Sequence, residues 1–455
     1  MVDSSDLLYA LRLCCLALLL SGWAYLYIQK RYQIQADKAF SQEHGCEPIR
    51  KRLPYKWPLA IDILKYQYDA LMQGNLLAYQ ADYFQRVQVG HTFEVKLLGR
   101  IGYFTSNPKN LEAMLQTNFD DWELGSSRNP LLPMIGRGIF TQDGHHAWKH
   151  SRETMRRQFA RMQYQDLRLF EGPINDMLAY LQSFTGVIDL QPAFFRFTLA
   201  TTTSLIFGEP FVDSKKIDDE TFAENFDYTS LVSAMRMRLA DWGWVYNPSR
   251  YRTACALVND YATMYVNHAL QDVKENGEEV ATKRHPFILD LFKELQDAKL
   301  VRDQLMNAVN RPPSNASARR YSLLLKTGGM VTRAQISKMT YLRCVLNETN
   351  RLYTQIPMNI RTAKRTTCLP KGGGPDGKSP MLVAKGVGVA FSAYYMHRSK
   401  EVYGVDVDEF CPERWEGPEL KNIGFAFMPF HGGPRRCLGS KIPNLLQCNR
   451  LVSKR

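Results

Sequence analysis

Cysteine is scarce in this sequence and shows no pairing pattern. Nine occur in 455 residues (Cys14, Cys15, Cys46, Cys255, Cys344, Cys368, Cys411, Cys437 and Cys448), and no two stand as Cys-x-x-Cys. An odd number at scattered spacing argues against a disulfide scaffold and against a structural zinc site, and a reducing compartment is expected. Internal repeats are absent. Acidic residues are in deficit: 58 Lys and Arg against 45 Asp and Glu give a net charge of +13. That balance suits an acidic partner, an anionic membrane surface or nucleic acid, without choosing among them. Apolar residues are plentiful: 45% hydrophobic against 23% charged excludes wholesale disorder and permits a sizeable core.

One apolar run stands out. Leu7 to Ile28 carries a single charge, Arg12, and as a helix rising ~1.5 Å per residue it would cross a hydrocarbon layer of ~30 Å. Trp23, Tyr25 and Tyr27 cluster near one end, where amphipathic rings favour the interface. Asp3 and Asp6 precede the run, whereas Lys30, Arg31 and Lys38 follow it. The basic flank predicts that the remainder faces the cytosol. A cleaved signal would begin with basic residues and be shorter. Residues 1–31 are therefore expected to form a membrane anchor and residues 32–60 a hinge or linker, with residues 61–455 as the main domain. The linker contains Arg50-Lys51-Arg52 and Pro54-Tyr55-Lys56-Trp57-Pro58, and Trp57 would rest either at lipid headgroups or in solvent.

Beyond the anchor, Phe93–Leu98 and Ile101–Thr105 flank Gly99-Arg100 and predict a β-hairpin. Asn107-Pro108 predicts a helix start. Residues 120–140 are expected as a loop and residues 148 to about 300 as mainly helical, with Leu257, Tyr261, Met264 and Tyr265 on one helix face. Val383–Phe391 reads as a strand. Strands at both ends of a helical middle suggest one mixed domain, mainly α with small β-sheets (α+β).

The most informative stretch is Phe430-His431-Gly432-Gly433-Pro434-Arg435-Arg436-Cys437-Leu438-Gly439. Its glycines permit a tight turn around a protruding side chain. A thiol near backbone N–H groups and two arginines should ionise more readily, and a thiolate can ligate iron. Upstream, Leu342, Val345, Leu346, Thr349 and Leu352 repeat at helical spacing, and Glu348 and Arg351 are i,i+3 neighbours on that helix. Pro412-Glu413-Arg414-Trp415 follows. Gly372-Gly373-Gly374-Pro375-Asp376-Gly377-Lys378-Ser379 satisfies the phosphate-loop pattern, but Pro380 comes next and no helix follows. A glycine-rich hairpin is expected instead, and no nucleic acid or nucleotide as partner. His146 and His150 lie four apart, but Trp148 faces the opposite side of their helix and no further ligand adjoins them.

The cysteine stretch resembles the haem-binding loop of the cytochrome P450 monooxygenases. The resemblance implies haem b with Cys437 as axial thiolate, catalytic residue and metal ligand. It further implies that Arg435 pairs with a propionate, Phe430 packs beside the sulfur, and Gly433 and Gly439 allow close approach to the porphyrin. It places Trp148 and Arg152, within Trp148-Lys149-His150-Ser151-Arg152, and Arg361 at propionates. Glu348, Arg351 and Arg414 would form one buried network, tolerable only if fully paired. The stretches around Phe226, Trp242–Trp244 and Asn359–Gly377 are most similar to fungal membrane-bound alkane and fatty-acid hydroxylases. The implied activity is hydroxylation of a hydrophobic small molecule with O2, using electrons from NADPH through NADPH–cytochrome P450 reductase. The implied site is the endoplasmic reticulum membrane, single-pass in the lipid bilayer with the catalytic domain cytosolic.

Two departures from the family pattern accompany these matches. The acid–threonine motif of the family's central helix is not found. Leu300–Val309 resembles its approach, and Pro312-Pro313 should stop the helix, so an interruption near 310–322 is expected. After Gly439 the chain continues as Ser440-Lys441-Ile442-Pro443 and ends at Arg455, which predicts a truncated C-terminal end. A catalytically inactive or mis-spliced member of the same family is the alternative expectation.

Overall fold

A computed structural model describes residues 4–87, 90–162, 171–183, 197, 201, 206–207, 219–309 and 339–440. The expected interruption at 310–322 and the C-terminal end from residue 441 lie outside the described residues. The chain forms two compact units, each built from two stretches: Met1–Trp122 with Thr362–Ala390, and Glu123–Arg361 with Phe391–Arg455.

The first unit begins with helix α1 (Ser4–Glu43), whose stretch from Leu13 is apolar and long enough to cross a membrane, and is unburied. The helix does not end at the expected boundary after residue 31. Between Lys30 and Glu43 it meets neither proline nor glycine, and Gln33 donates to Asp37 one turn on at 2.7 Å. It stops at Gly45, which takes the left-handed φ of 59°, while Cys46 N–H returns to Ser41 O at 2.8 Å.

Nor do residues 46–57 form a free linker. Leu53 N–H donates to Glu94 O (2.8 Å), Glu94 N–H donates to Lys51 O (2.9 Å) and Glu47 N–H donates to Pro380 O (2.8 Å). The physical reason is that an extended basic segment satisfies its backbone on sheet edges, with Arg52 paired to Glu94 at 3.2 Å.

Helices α2 (Ile61–Met72) and α3 (Leu76–Arg86) follow. Strands β1 (Thr92–Leu97) and β2 (Arg100–Thr105) then pair antiparallel from Thr92↔Thr105 to Leu97↔Arg100. Leu98 and Gly99 both have positive φ, 50° and 79°, and this two-residue turn carries the twist of a hairpin. The turn therefore sits one residue earlier than expected. Phe84, Phe93 and Phe104 form the local core, with ring centroids about 5 Å apart. Asn107 accepts from Lys109 N–H at 3.0 Å to start α4 (Pro108–Glu112).

The chain passes between units within β3 (Trp122–Glu123), β4 (Met358–Ala363) and β7 (Gly388–Ser392). Strands β5 (Thr367–Gly373) and β6 (Ser379–Val383) pair antiparallel, and the glycine-rich stretch is their turn. A Cβ at Gly372 would lie 2.6 Å from Thr92 Cγ2. The strand expected over Val383–Phe391 is broken by a turn in which Gly386 has φ 81°.

In the second unit the expected loop at 120–140 is largely helical: a 3-10 segment over Gly125–Leu131, then α5 (Leu132–Ile135), ended by Gly136 at φ 62°. Helices α6 (His145–Met162), α7 (Glu171–Gln182), α8 (Asp219–Arg238), α9 (Ser249–Asn276), α10 (Glu278–Arg284), α11 (Pro286–Leu295), α12 (Ala298–Val309) and α13 (Thr340–Leu352) follow. One face of α9 supplies Tyr251, Val258, Tyr261, Tyr265 and Val266 to a core shared with Ile288 and Leu291 of α11 and Val301, Leu305 and Met306 of α12. Phe207 stacks on Tyr265 at 4.3 Å and Phe222 on Tyr261 at 4.0 Å.

Asn110, fully buried, ties the first unit together. Its amide donates to Thr105 Oγ1 (3.0 Å) and Lys371 O (2.9 Å), and its Oδ1 accepts from Lys371 N–H (2.9 Å). Asn110→Leu would leave both main-chain groups of Lys371 buried without partners. The expected loss is about 2–4 kcal/mol, read as a lower denaturant midpoint.

Candidate active site

The stretch Phe430–Gly439 folds as a closed loop. Cys437 N–H donates to Phe430 O at 3.0 Å, and Arg436 N–H donates to Gly433 O at 3.0 Å. His431 and Gly433 both take φ 65°, the left-handed region that glycine adopts freely. The Cys437 side chain emerges exposed from this turn. Gly439 lies beside the thiol: a Cβ there would sit 3.9 Å from the Cys437 sulfur, an ordinary contact.

Around the loop the second unit gathers arginines. Trp148, 4% exposed on α6, carries the Arg435 guanidinium 4.4 Å from its ring centroid and that of Arg152 at 5.6 Å. Arg152 also donates to Arg436 O at 2.6 Å, within electrostatic reach of Cys437. His146 and His150 are exposed on the other side of α6. From β4, buried Arg361 donates to His431 Nε2 (3.0 Å), Asn359 Oδ1 (3.1 Å) and Ile360 O (2.7 Å). Arg128, which no local pattern had marked, donates to the same Asn359 oxygen at 2.6 Å, and its Nε is buried without a partner.

The charge in this cluster is unbalanced. Arg435 approaches Asp143 at 3.9 Å and donates to Gln142 O at 3.4 Å. Burial, partly opposed by Asp143 and reinforced by Arg128 and Arg152, lowers the Arg435 pKa to about 10. Burial, with Arg128 and Arg435 as like-charged neighbours, holds Arg361 well below its ordinary range. Burial and the same arginines press His431 down to about 3. Its imidazole is therefore neutral, with Nδ1–H donated to Gly432 O (2.9 Å) and Nε2 accepting from Arg361. Three guanidinium groups, of Arg128, Arg361 and Arg435, are thus gathered near Asp143, one of them with an orphaned donor, and Arg152 stands by on the Trp148 ring. That set fits the carboxylates of a bound group, and the exposed thiol beside it fits a soft metal ligand.

A second constellation lies behind the loop. Glu348 and Arg351 of α13 are both 0% exposed. Arg351 donates to both carboxylate oxygens of Glu348 at 2.8 Å. It also donates to His397 O (2.9 Å), Val407 O (2.7 Å) and Glu409 O (3.2 Å). Glu348 further accepts from Arg414 Nε (3.0 Å), Cys411 N–H (3.0 Å) and Trp415 Nε1 (2.9 Å). Arg414 is completed by Tyr403 O (2.6 Å) and Asp406 (2.9 Å). Burial opposes ionisation of Glu348, but bonds from Arg351, Cys411 and Trp415 outweigh it and hold its pKa below the ordinary range. His397, absent from the sequence reading, links the two constellations. Its Nε2 accepts from Met428 N–H (2.9 Å), which leaves Nδ1–H to face Arg351 O (3.3 Å).

The structure thus brings Trp148, Arg152, Arg361, Phe430, Gly433, Arg435, Cys437 and Gly439 to one site, and Glu348, Arg351 and Arg414 to an adjoining network. The family model for cytochrome P450 matches residues 52–310 and 324–445. A cytochrome P450 of Arthroderma benhamiae is 35% identical over 451 residues, covering 92% of this chain and 85% of its own. Cytochrome P450 52A13 of Debaryomyces hansenii is 32% identical over 452 residues (91% and 86%). Cytochrome P450 52A5 of Candida maltosa is 36% identical over 387 residues (77% and 72%).

The network carries a pH signature. Burial lowers the His397 pKa to about 3, against ~6.5 in an unfolded chain. Its contribution is present above ~6.5 and lost as pH falls toward ~3, because the unfolded chain takes a proton that the folded one refuses. Between about pH 6.5 and about pH 5 this amounts to up to about 2 kcal/mol. His397→Gln, which does not titrate, should flatten the fall in unfolding midpoint over that window. An unchanged slope would show that other groups set it.

Proposed function

The chain belongs to the cytochrome P450 family, and on that premise we propose that it is a membrane-anchored haem-thiolate monooxygenase hydroxylating alkanes or fatty acids. Members of the family hold haem through a cysteine thiolate and draw electrons from a redox partner to oxidise hydrophobic substrates. The observation that carries the reading for this chain is the exposed Cys437 thiol, set on a closed glycine-bearing turn beside four arginines.

In this reading Cys437 would hold the haem iron through its thiolate, and its turn, closed by Cys437 N–H to Phe430 O, fixes where the sulfur emerges. Arg435, Arg361 and Arg152, with Trp148 as the surface on which two of them rest, bind the propionates, and Arg128 joins them through its free Nε. Gly433 and Gly439 leave room for the porphyrin, and Phe430 packs beside the sulfur. The bound haem supplies the activation of O2 and the oxidation of C–H bonds. The protein's share is to orient that group and exclude water around it. The apolar span of α1, followed by Lys30, Arg31 and Lys38, supports a single-pass anchor in the endoplasmic reticulum membrane with the catalytic domain cytosolic. There NADPH–cytochrome P450 reductase is the proposed electron donor, and apolar chains dissolved in the bilayer are the substrates at hand.

The deciding experiment is a carbon-monoxide difference spectrum of reduced microsomes carrying the chain, followed by turnover of a long-chain fatty acid and an alkane. The expected outcome is a thiolate-type band and hydroxylated product in the wild type, with both lost in Cys437→Ser. Wild-type microsomes without the band would identify the chain as a non-catalytic member. Arg361→Leu should keep the band but weaken haem retention by roughly 10- to 100-fold, the effect of losing a charge-assisted hydrogen bond.

A further inference from the structure

Three side chains from consecutive turns of α12 hold the segment Gly136–Asp143. Asp303, 4% exposed, accepts Arg137 N–H through Oδ2 at 2.9 Å, while its other oxygen takes Arg302. Asn307, 0% exposed, accepts Phe140 N–H at 2.9 Å and donates to Ile135 O at 2.9 Å. Gln304 donates to Ser151 Oγ at 2.7 Å, and that hydroxyl donates to Gln142 Oε1 at 2.6 Å. The approach is so close that a Cβ at Gly136 would fall 2.1 Å from the Asp303 carboxyl carbon, and one at Gly138 would fall 2.4 Å from the Asn307 amide nitrogen. Glycine is required there by backbone–side chain contact rather than by a turn alone. Within the segment, Thr141 Oγ1 donates to Gly136 O (2.7 Å) and accepts Gly138 N–H (2.9 Å), and Gln142 N–H donates to Gly138 O (2.9 Å). The segment is thus bonded to the helix near its start and middle, and near its end through Ser151.

The far end of the same segment faces the cysteine loop. Gln142 O accepts from Arg435, and Asp143 opposes its charge. Asp143 is itself fixed by Leu124 N–H and Gly125 N–H, both at 2.6 Å. We propose that Asp303 and Asn307 are positioning residues for Arg435: they latch residues 136–143 to α12 and so set the acceptors that divide the Arg435 guanidinium between the protein and the carboxylate of the bound cofactor. Helix α12 thereby acts on the haem-binding arginine without touching it. The inference rests on the haem-thiolate reading given above.

The test follows transfer of haem from the purified holoprotein to an excess of apomyoglobin, together with the ferric–ferrous midpoint potential. Asn307→Leu should speed transfer roughly tenfold, the effect of freeing one charge-assisted contact, and should shift the potential. The milder Ser151→Ala, which opens the Gln304–Ser151–Gln142 link, should act in the same direction about threefold on the same grounds. Asp303→Asn, which keeps an acceptor for Arg137 N–H, should restore most of the loss seen in Asp303→Leu. In an Arg435→Leu background, Asn307→Leu and Ser151→Ala should have almost no further effect. Equal effects with and without Arg435, or faster transfer at an unchanged potential, would reduce the latch to a purely structural contact and overturn the proposal. If Asn307→Leu yields no holoprotein, Ser151→Ala in the two backgrounds decides the matter alone. Absence of a Cys437-dependent band in the wild type would instead remove the haem reading itself, a failure visible before any latch variant is made.

Discussion

Everything at this site leans on one buried carboxylate. Glu348 has lost all contact with water, and an ion so placed costs several kcal/mol unless its lone pairs are met. Here they are met by two arginines, an indole N–H and a backbone N–H. The donors come from two parts of the chain: Arg351 from α13, and Cys411, Arg414 and Trp415 from the segment before the cysteine loop. Satisfying the carboxylate therefore requires these segments to be in place together. Desolvation, which would be only a penalty for a lone pair of charges, becomes a source of unique arrangement because no partial solution is tolerable. The path from this network to the thiol is short: Arg351 O faces His397, His397 accepts Met428 N–H, and two residues later Phe430 O closes the turn on Cys437 N–H.

The arginine cluster follows the opposite logic. At Glu348 every charge is compensated by the chain, whereas around Trp148 cation exceeds anion and Arg128 keeps an unmet buried donor. A protein selected for stability alone would fill that deficit with a second carboxylate. Burial and mutual repulsion lower the pKa of Arg361 and Arg435, and the cluster is left with positive charge that the chain itself does not compensate. The two constellations differ in kind: one is closed on itself, and the other, under the haem-thiolate proposal, is the one that would meet the propionates.

Sequence reading found what is local and missed what is not. The spacing of Glu348 and Arg351, the glycines around Cys437 and the hairpin at Leu98–Gly99 are written within a few residues, where rules of helix and turn geometry reach. Arg128, Asp143, Asn359 and His397 carry no such mark. Each becomes functional through a partner tens to hundreds of residues away, and nothing in its own neighbourhood distinguishes it from a surface polar residue. The linker failed for a related reason. Proline and basic residues at 50–58 look unstructured by composition, yet the segment bonds main chain to main chain with β1, an interaction that side-chain identity scarcely encodes. The anchor's end was missed because hydropathy marks where a bilayer stops, whereas only capping marks where a helix stops, and the cap is at Gly45.

His431 shows how the two kinds of information meet. Its place in the cysteine loop needs positive φ, which histidine adopts more readily than most residues. Its chemistry needs an acceptor for Arg361 that brings no negative charge. An aspartate there would satisfy Arg361 better, but it would also remove one positive charge from the balance of the cluster. A neutral imidazole, with Nδ1–H committed to Gly432 O, offers Nε2 as a fixed acceptor and leaves the net charge untouched. The surrounding arginines enforce that neutrality themselves, since they help hold the His431 pKa near 3. The cationic character of the cluster is thus self-maintaining: the arginine charges help keep their own hydrogen-bond acceptor uncharged over the physiological range.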